Sequence, residues 1–271
     1  MSAQVIEVGR PVARDARVSL ADTASQTMTL AWRSAVRMFR QPDQFFDVTI
    51  QPLLFTAMFA YIFGGAISGD VASYLPLLIP GQIAQTTLTA CMATGVQLRE
   101  DMEKGVFDRF RVLPIARIAP LAGPMIADLL RYAIATTLTL AVGVAMGYRP
   151  GGGLYGIAGG WLLAVAAAWA MAWIFTFAGC IASSARAVQG ISMLVMFPLT
   201  FLSNAFVPVD TLPGWLAAFV KVNPFSHVVS ALRDLFNAGS VSIEVFWAIL
   251  GCVVIVAVFA PCSVAVYRRR L

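Results

Sequence analysis

The side chains able to do chemistry are few, and their spacing argues against catalysis. The chain has one histidine, His227, next to Ser226. Neighbouring residues on a regular element point apart, so these two make no nucleophile and base pair, and no GxSxG sequence or buried carboxylate pair is present. A single imidazole also argues against a histidine-based metal site. The four cysteines, Cys91, Cys180, Cys252 and Cys262, lie in apolar stretches without a CxxC pair and read as small hydrophobes. A P-loop requires GxxxxGK[ST]. The only lysines are Lys104, followed by Gly105, and Lys221, followed by Val222, so neither completes that loop. Two ionisable groups, Asp128 and Arg131, stand inside an otherwise apolar run, three residues apart on one helical face. They could neutralise each other, couple an ion, or pass on motion from the adjoining loop. A third pattern is polar but uncharged. Gln82, Thr86, Thr89 and Gln97 share one face of a helix with Ala93, and such a stripe avoids lipid. It serves helix–helix hydrogen bonding or lines a substrate route, and Phe197, Phe201 and Asn204 could face the same route.

The elements that must carry these residues follow from composition. Of 271 residues, 59% are hydrophobic and 12% charged, and mean hydropathy is +0.79. Soluble domains have about 25% charged residues, so neither a soluble globule nor a disordered chain fits, and a polytopic helical membrane protein does. A charge at the bilayer centre costs roughly 2.5–3.5 kcal/mol on insertion scales, so uncharged runs mark spans. Six largely apolar runs occur, at about 47–70, 75–98, 118–148, 154–183, 187–206 and 245–267, the third of them carrying Asp128 and Arg131. Each can cross about 30 Å of hydrocarbon at about 1.5 Å per residue. The formal charge is +5, from 19 Lys+Arg against 14 Asp+Glu, but where the cations sit says more than their sum. Arg10 to Arg40, the loop bearing Arg99 to Arg117, Arg186, and Arg268 to Arg270 all fall on one side of a six-span chain. Only Arg149, Lys221 and Arg233 fall on the other. The positive-inside rule then places both termini in the cytoplasm. No signal-peptide core precedes the first span.

Four segments lie outside the runs. Residues 1–23 read as a flexible cytoplasmic tail, and 24–46 as an amphipathic helix in the cytoplasmic interface. On that helix Arg33, Arg37 and Arg40 share one face, Met28, Trp32, Val36 and Phe39 the next, and Pro42 stops the pattern. The loop 99–117 starts as a charged helix whose Met102, Val106, Phe110 and Leu113 form one apolar stripe in want of a partner. Residues 207–243 are apolar but broken by Pro208, Pro213, Gly214 and Pro224, which predicts two short helices on or in the outer leaflet.

This order of segments resembles the permease subunit of ABC-2-type exporters, across roughly residues 25–271, and most resembles the daunorubicin/doxorubicin-resistance type of actinobacteria. The stretch Leu30 to Gly65 is similar to the start of that subgroup. Glu103-Lys104-Gly105 followed by Leu113-Pro114-Ile115-Ala116-Arg117 is similar to the family's E-x-G … L-P-I-x-R loop. Asn223 to Arg233, NPFSHVVSALR, is similar to its outer N-P … R motif. The resemblance implies an all-α fold of six transmembrane helices (47–271) with a cytoplasmic N-terminal interface helix, the ABC-2 exporter or type V ABC architecture. It implies a second permease chain as homodimer partner and two copies of a separate ATPase subunit that bind ATP and magnesium, with no cofactor held by this chain. Membrane lipids and a hydrophobic or amphipathic substrate complete the expected partners, and nucleic acid is not among them. The helix around Glu100, Glu103, Gly105, Phe107, Arg109, Phe110 and Arg111 would couple to the ATPase, with Trp32, Arg33, Arg37 and Arg40 on the interface helix beside it. The activity implied is outward movement of an amphipathic drug, antibiotic or lipid-like molecule by alternating access. A membrane scaffold without transport and a proton-coupled carrier are the alternatives, the latter requiring Asp128.

Overall fold

The structure, a computed structural model, describes residues 20–40, 42–106, 119–206 and 213–270. Among these residues the secondary structure is helical, with no strand. In chain order the helices are α1 (Leu20–Arg40), α2 (Pro42–Ser68), α3 (Val71–Glu103), α4 (Ala119–Ala145), α5 (Gly153–Ile181) and α6 (Ala185–Phe201). They continue with α7 (Gly214–Val222), α8 (Pro224–Arg233) and α9 (Ile243–Arg270), with a π-helical turn, Asp234–Ala238, closing α8. Among the described residues four helices are long and apolar enough to cross a membrane: Ile50–Ser68 of α2, Pro120–Ala145 of α4, α5, and Ile243–Tyr267 of α9. The chain is thus a multi-pass membrane protein. Helices also run through the other two uncharged stretches, but each differs from a plain span. α3, at 33 residues, is the longest described helix and carries the polar stripe. α6 is apolar and only 17 residues long, or about 25 Å.

Two boundaries differ from the sequence expectation. The interface helix does not reach 46: α1 ends at Arg40, before Pro42, and residues 42–46 belong to α2. Pro42 opens α2, because a proline at the first helical position costs no hydrogen bond. The charged residues after 98 do not start a new helix either. Arg99 to Glu103 are the last turn of α3, which stops at Lys104 before Gly105, a residue in the left-handed region at φ 64°. Phe107, Arg109, Phe110 and Arg111 lie outside the described residues.

Side-chain caps fix several other ends. Asp70 Oδ1 accepts the Ser73 N–H at 2.6 Å at the start of α3, and this backbone donor holds the Asp70 carboxyl below the usual carboxylate range. Ser184 Oγ accepts the Ala187 N–H at 3.1 Å and opens α6. Asn223 Oδ1 accepts the Phe225 N–H at 3.0 Å and opens α8.

α3 is the axis of the bundle and packs against α2, α4, α5, α6 and α8. Its most extensive contact is with α5. A Cβ on Gly95 would overlap the Phe175 carbonyl, and one on Gly179 would fall 2.6 Å from the Gly95 carbonyl. Apolar side chains gain little by leaving lipid for protein, so close backbone approach at small residues is what holds such helices together. α1 is tied to α4 in the same way, since a Cβ on Gly123 would meet Leu30 Cβ at 2.6 Å. The packed face of α1 is Thr27, Ala31 and Met38, while Trp32 (73% exposed) and Met28 (61%) point outward.

Basic residues collect at one end of the bundle, where α1 and α3 finish and α6 begins. At the far end the π-turn seals the α4–α5 connection. The Gly152 N–H donates to the Phe236 carbonyl at 2.9 Å, and the Tyr148 hydroxyl lies 2.6 Å from Asn237 Oδ1. Burial pushes the Tyr148 phenol up to about 12.

Candidate translocation cavity

Between α2, α3, α4 and α6 lies a cavity of about 590 Å³. Its longest wall is the polar face of α3: Gln82, Thr86, Thr89 and Gln97 all line it, with Gln85 beside them and Glu100 at the basic end. Gln82 to Glu100 is about 27 Å of helix at about 1.5 Å per residue, so the cavity follows much of the bundle's height. α6 supplies Gln189, Met193, Met196, Phe197 and Phe201, and α2 supplies Gln51 and Phe55. Five glutamines, two threonines, three methionines and three phenylalanines therefore face one space, counting Met92 of α3. That mixture suits a molecule with an apolar body and polar groups. Gln82 is 2% exposed, and neither its Oε1 nor the Gln85 Oε1 bonds to another protein group among the described residues, so both can accept from water or from a bound molecule.

A chain of phenylalanines arches over the far end. Ring centroids run Phe55–Phe59 at 6.2 Å, Phe59–Phe206 at 4.5 Å, Phe206–Phe201 at 6.4 Å and Phe201–Phe197 at 5.4 Å. Both ends of this arch line the cavity. Asn204 does not. It lies beyond the end of α6, turned to α8, where its Nδ2 donates to Ser230 Oγ at 2.8 Å. Gln51, Gln189 and the methionines escaped the sequence reading. The isolated glutamines in apolar runs were the available signal, because a carboxamide facing lipid is costly.

Arg131 borders this space from α4, with Asp128 beside it. Arg131 Nη1 lies 3.3 Å from Asp128 Oδ1, and Arg131 Nη2 donates to Gln97 Oε1 at 3.4 Å. Thr94 Oγ1 donates to Asp128 Oδ2 at 2.6 Å and lies 2.9 Å from the Tyr132 hydroxyl. The carboxylate is thus held by α3 as well as by its own helix. Arg131 reaches the cavity wall, and Asp128 sits behind it.

At the basic end, α3 grips its neighbours. Arg37 Nη1 of α1 lies 2.7 Å from Asp101 Oδ1, and its Nη2 4.0 Å from Glu100 Oε2. Lys104 Nζ lies 2.9 Å from Glu100 Oε2. Glu103 turns the other way, toward the start of α6, where its Oε1 accepts the Ala185 N–H at 2.9 Å. Arg33 is exposed on α1, and the side chain of Arg40 lies outside the described residues.

At the far end, Arg233 of α8 donates to the carbonyls of Leu77 in α3 (3.2 Å) and of Ala205 after α6 (2.9 Å). This guanidinium ties α8 to the two helices that form the main cavity walls. His227 Nδ1 lies 2.6 Å from Glu244 Oε2 of α9 and Nε2 lies 3.1 Å from the Lys221 carbonyl, so His227 joins α8 to α9 and faces no nucleophile. Among the described residues no cluster of His, Cys, Asp and Glu could hold a metal ion.

Comparison with known proteins matches this sequence to one family. The family model described as ABC-2 type transporter covers residues 25–237. A daunorubicin resistance ABC transporter permease protein of Streptomyces coeruleorubidus is 38% identical over 254 residues, 94% of this chain and 90% of that protein. A probable doxorubicin resistance ABC transporter permease of Mycobacterium tuberculosis is 25% identical over 231 residues, 83% of this chain and 80% of that protein. A probable multidrug ABC transporter permease of Escherichia coli K12 is 22% identical over 200 residues, 73% of this chain and 54% of that protein.

Proposed function

The chain belongs to the ABC-2 type transporter family as a permease subunit, with ATP hydrolysis left to a separate subunit, and from that premise we propose how its own residues serve drug export. The cavity between α2, α3, α4 and α6 is the route of an amphipathic substrate such as the daunorubicin of its relative's name. A single observation carries this reading: the uncharged polar face of α3 and the aromatic and methionine face of α6, in contact at Thr89 and Met196, leave about 590 Å³ open between them and the neighbouring α2 and α4. Polar carboxamides and hydroxyls orient the cargo's polar groups, and Phe55, Phe197 and Phe201 take its rings.

The remaining architecture is proposed on the same footing. Six spans cross a bacterial plasma membrane, with α3 and α6 completing the four apolar ones and both termini in the cytoplasm. Two copies of the chain pair, so that α3's length and polarity and α6's shortness are tolerated away from lipid. α1 lies in the cytoplasmic interface with Trp32 and Met28 toward the headgroups, and residues 1–23 trail from it. α7 and α8 fill the outer half of the membrane without crossing it. The 99–117 segment seats on an ATP-binding subunit, two of which bind ATP and magnesium below the pair. Nucleotide state can shift the permease only through contacts that differ between inward- and outward-open forms.

Inside-out vesicles holding the chain and its cognate ATP-binding subunit should accumulate daunorubicin when ATP is added. Gln82→Leu and Thr86→Val should each raise the half-saturating daunorubicin concentration several-fold without changing insertion or association. Uphill transport by the chain alone, or unaltered saturation in both variants, would refute the assignment of this route.

A further inference from the structure

The Glu103 carboxylate belongs by position to the segment proposed to meet the ATP-binding subunit, and it reaches from there to the start of α6. Its Oε1 accepts the Ala185 backbone N–H at 2.9 Å and sits 3.4 Å from Arg99 Nε. Arg99 in turn donates from Nη2 to the Ser183 carbonyl at 2.8 Å. Ser183 lies in the connection that follows α5, and Ala185 is the first residue of α6. Two side chains from the last turn of α3 therefore hold the backbone on either side of Ser184, the residue that caps α6 through the Ala187 N–H. On the opposite flank of the same turn, Asp101 holds Arg37 of α1 at 2.7 Å.

We infer that Glu103 is a positioning residue of the transport cycle: it transfers displacement of α3's basic end to the start of α6, and does not itself dock on the ATP-binding subunit. The chemistry suits the task. A carboxylate at the first turn of a helix meets the positive end of the helix dipole, and its bond to a backbone N–H is charge-assisted and directional. α6 is one stiff helix from Ala185 to Phe201, so a shift at its first residue reaches Gln189, Met193 and Phe197 on the cavity wall. α3 continues without a break from Glu103 to Gln82 on the facing wall. The two walls are thus hinged together at one end by Glu103 and Arg99. Glu100 instead faces Lys104, Arg37 and the cavity mouth. This inference rests on the reading of the cavity as the route and of a partner subunit as the motor.

The test uses the complete complex in vesicles, with Glu103→Ala, Glu103→Asp and Glu103→Gln. Asp keeps the charge and protects the fold but is one methylene too short to hold Ala185. Gln still offers an oxygen to that N–H. Three quantities are read: ATP-binding subunit retained on purification, daunorubicin moved per ATP hydrolysed, and ATP-dependent maleimide labelling. The label reports a cysteine placed by Gln189→Cys after the four native cysteines are changed to alanine. Glu103→Ala and Glu103→Asp should retain the ATP-binding subunit, lower transport per ATP by about tenfold, and abolish the ATP-dependent change in labelling. Glu103→Gln should restore most of both. Unchanged transport per ATP with unchanged labelling in Ala and Asp would overturn the inference. So would loss of the ATP-binding subunit from Glu103→Ala and Glu103→Gln alike, which would make Glu103 a docking residue and leave the route reading intact. A parent complex without ATP-dependent transport or labelling would instead retire the route reading and the inference with it.

Discussion

Asp128 and Arg131 offer a quantitative test of what a buried ion pair does in this bundle. Their exposures are 5% and 3%. Asp128→Asn keeps the shape of the side chain and leaves an oxygen for the Thr94 hydroxyl, now at 2.6 Å from Asp128 Oδ2. What it removes is the charge opposite Arg131 Nη1 at 3.3 Å. Removing one partner of a buried pair costs about 3–5 kcal/mol, because the other charge stays behind. Arg131 borders a polar cavity and donates to Gln97, so part of its solvation survives, and about 2–3 kcal/mol is the expected loss. Asp128→Asn combined with Arg131→Gln removes both charges. The double variant should be more stable than Asp128→Asn alone, with a coupling energy of about 2 kcal/mol in the cycle. Denaturant titration of the four proteins in detergent micelles, followed by tryptophan fluorescence, measures this directly. Losses that simply add across the two sites would refute the pairing argument. The same variants separate energy sources. Folded Asp128→Asn should still transport with the ATP-binding subunit present, whereas a proton-coupled carrier would stop.

Three further outcomes follow from the packing and the caps. Gly95→Ala forces a methyl onto the Phe175 carbonyl, so α3 and α5 must separate; overpacking of this kind costs about 1–3 kcal/mol, read as a lowered thermal midpoint, and Gly95→Val should not accumulate. Arg233→Leu strands the carbonyls of Leu77 and Ala205 and should cost about 2–4 kcal/mol in the same titration, while Arg233→Lys recovers only part, having no planar fork to span both. Asp70→Ala removes the first-turn cap of α3 and lowers the thermal midpoint slightly. Because the folded carboxyl is held below its ordinary value, that cap contributes above about pH 4 and is lost as pH falls through the depressed value, so parent and Asp70→Ala midpoints should converge in acid.

Much of the architecture could be read from charge placement alone. The uncharged runs fall where helices stand, since a lipid environment tolerates few charges and leaves the backbone no alternative to a helix. Local chemistry was harder. Pro42 carries the same letter whether it stops one helix or starts the next, and only the bonds on either side decide. Glu103 and Glu100 look alike in sequence, yet one turns to α6 and the other to Lys104 and Arg37. The polar stripe of α3 was visible as a period, but its counterpart on α6 was not, because Met193, Met196 and Gln189 are unremarkable in an apolar run. Asn204 carries the opposite lesson: proximity to Phe201 in the chain placed it near the route, and the end of α6 turned it to Ser230. The small-residue contacts of Gly95 and Gly179 depend on what lies across from them, which no single helix discloses.

The lone imidazole at the junction of α8 and α9 has a practical consequence. Isotope labelling of histidine would give one ring signal from the whole polypeptide, free of overlap. That ring touches the Glu244 carboxylate on one side and the Lys221 carbonyl on the other. Its resonance would therefore register any parting of the far-end helices during a turnover, a built-in spectroscopic spy that needs no foreign tag.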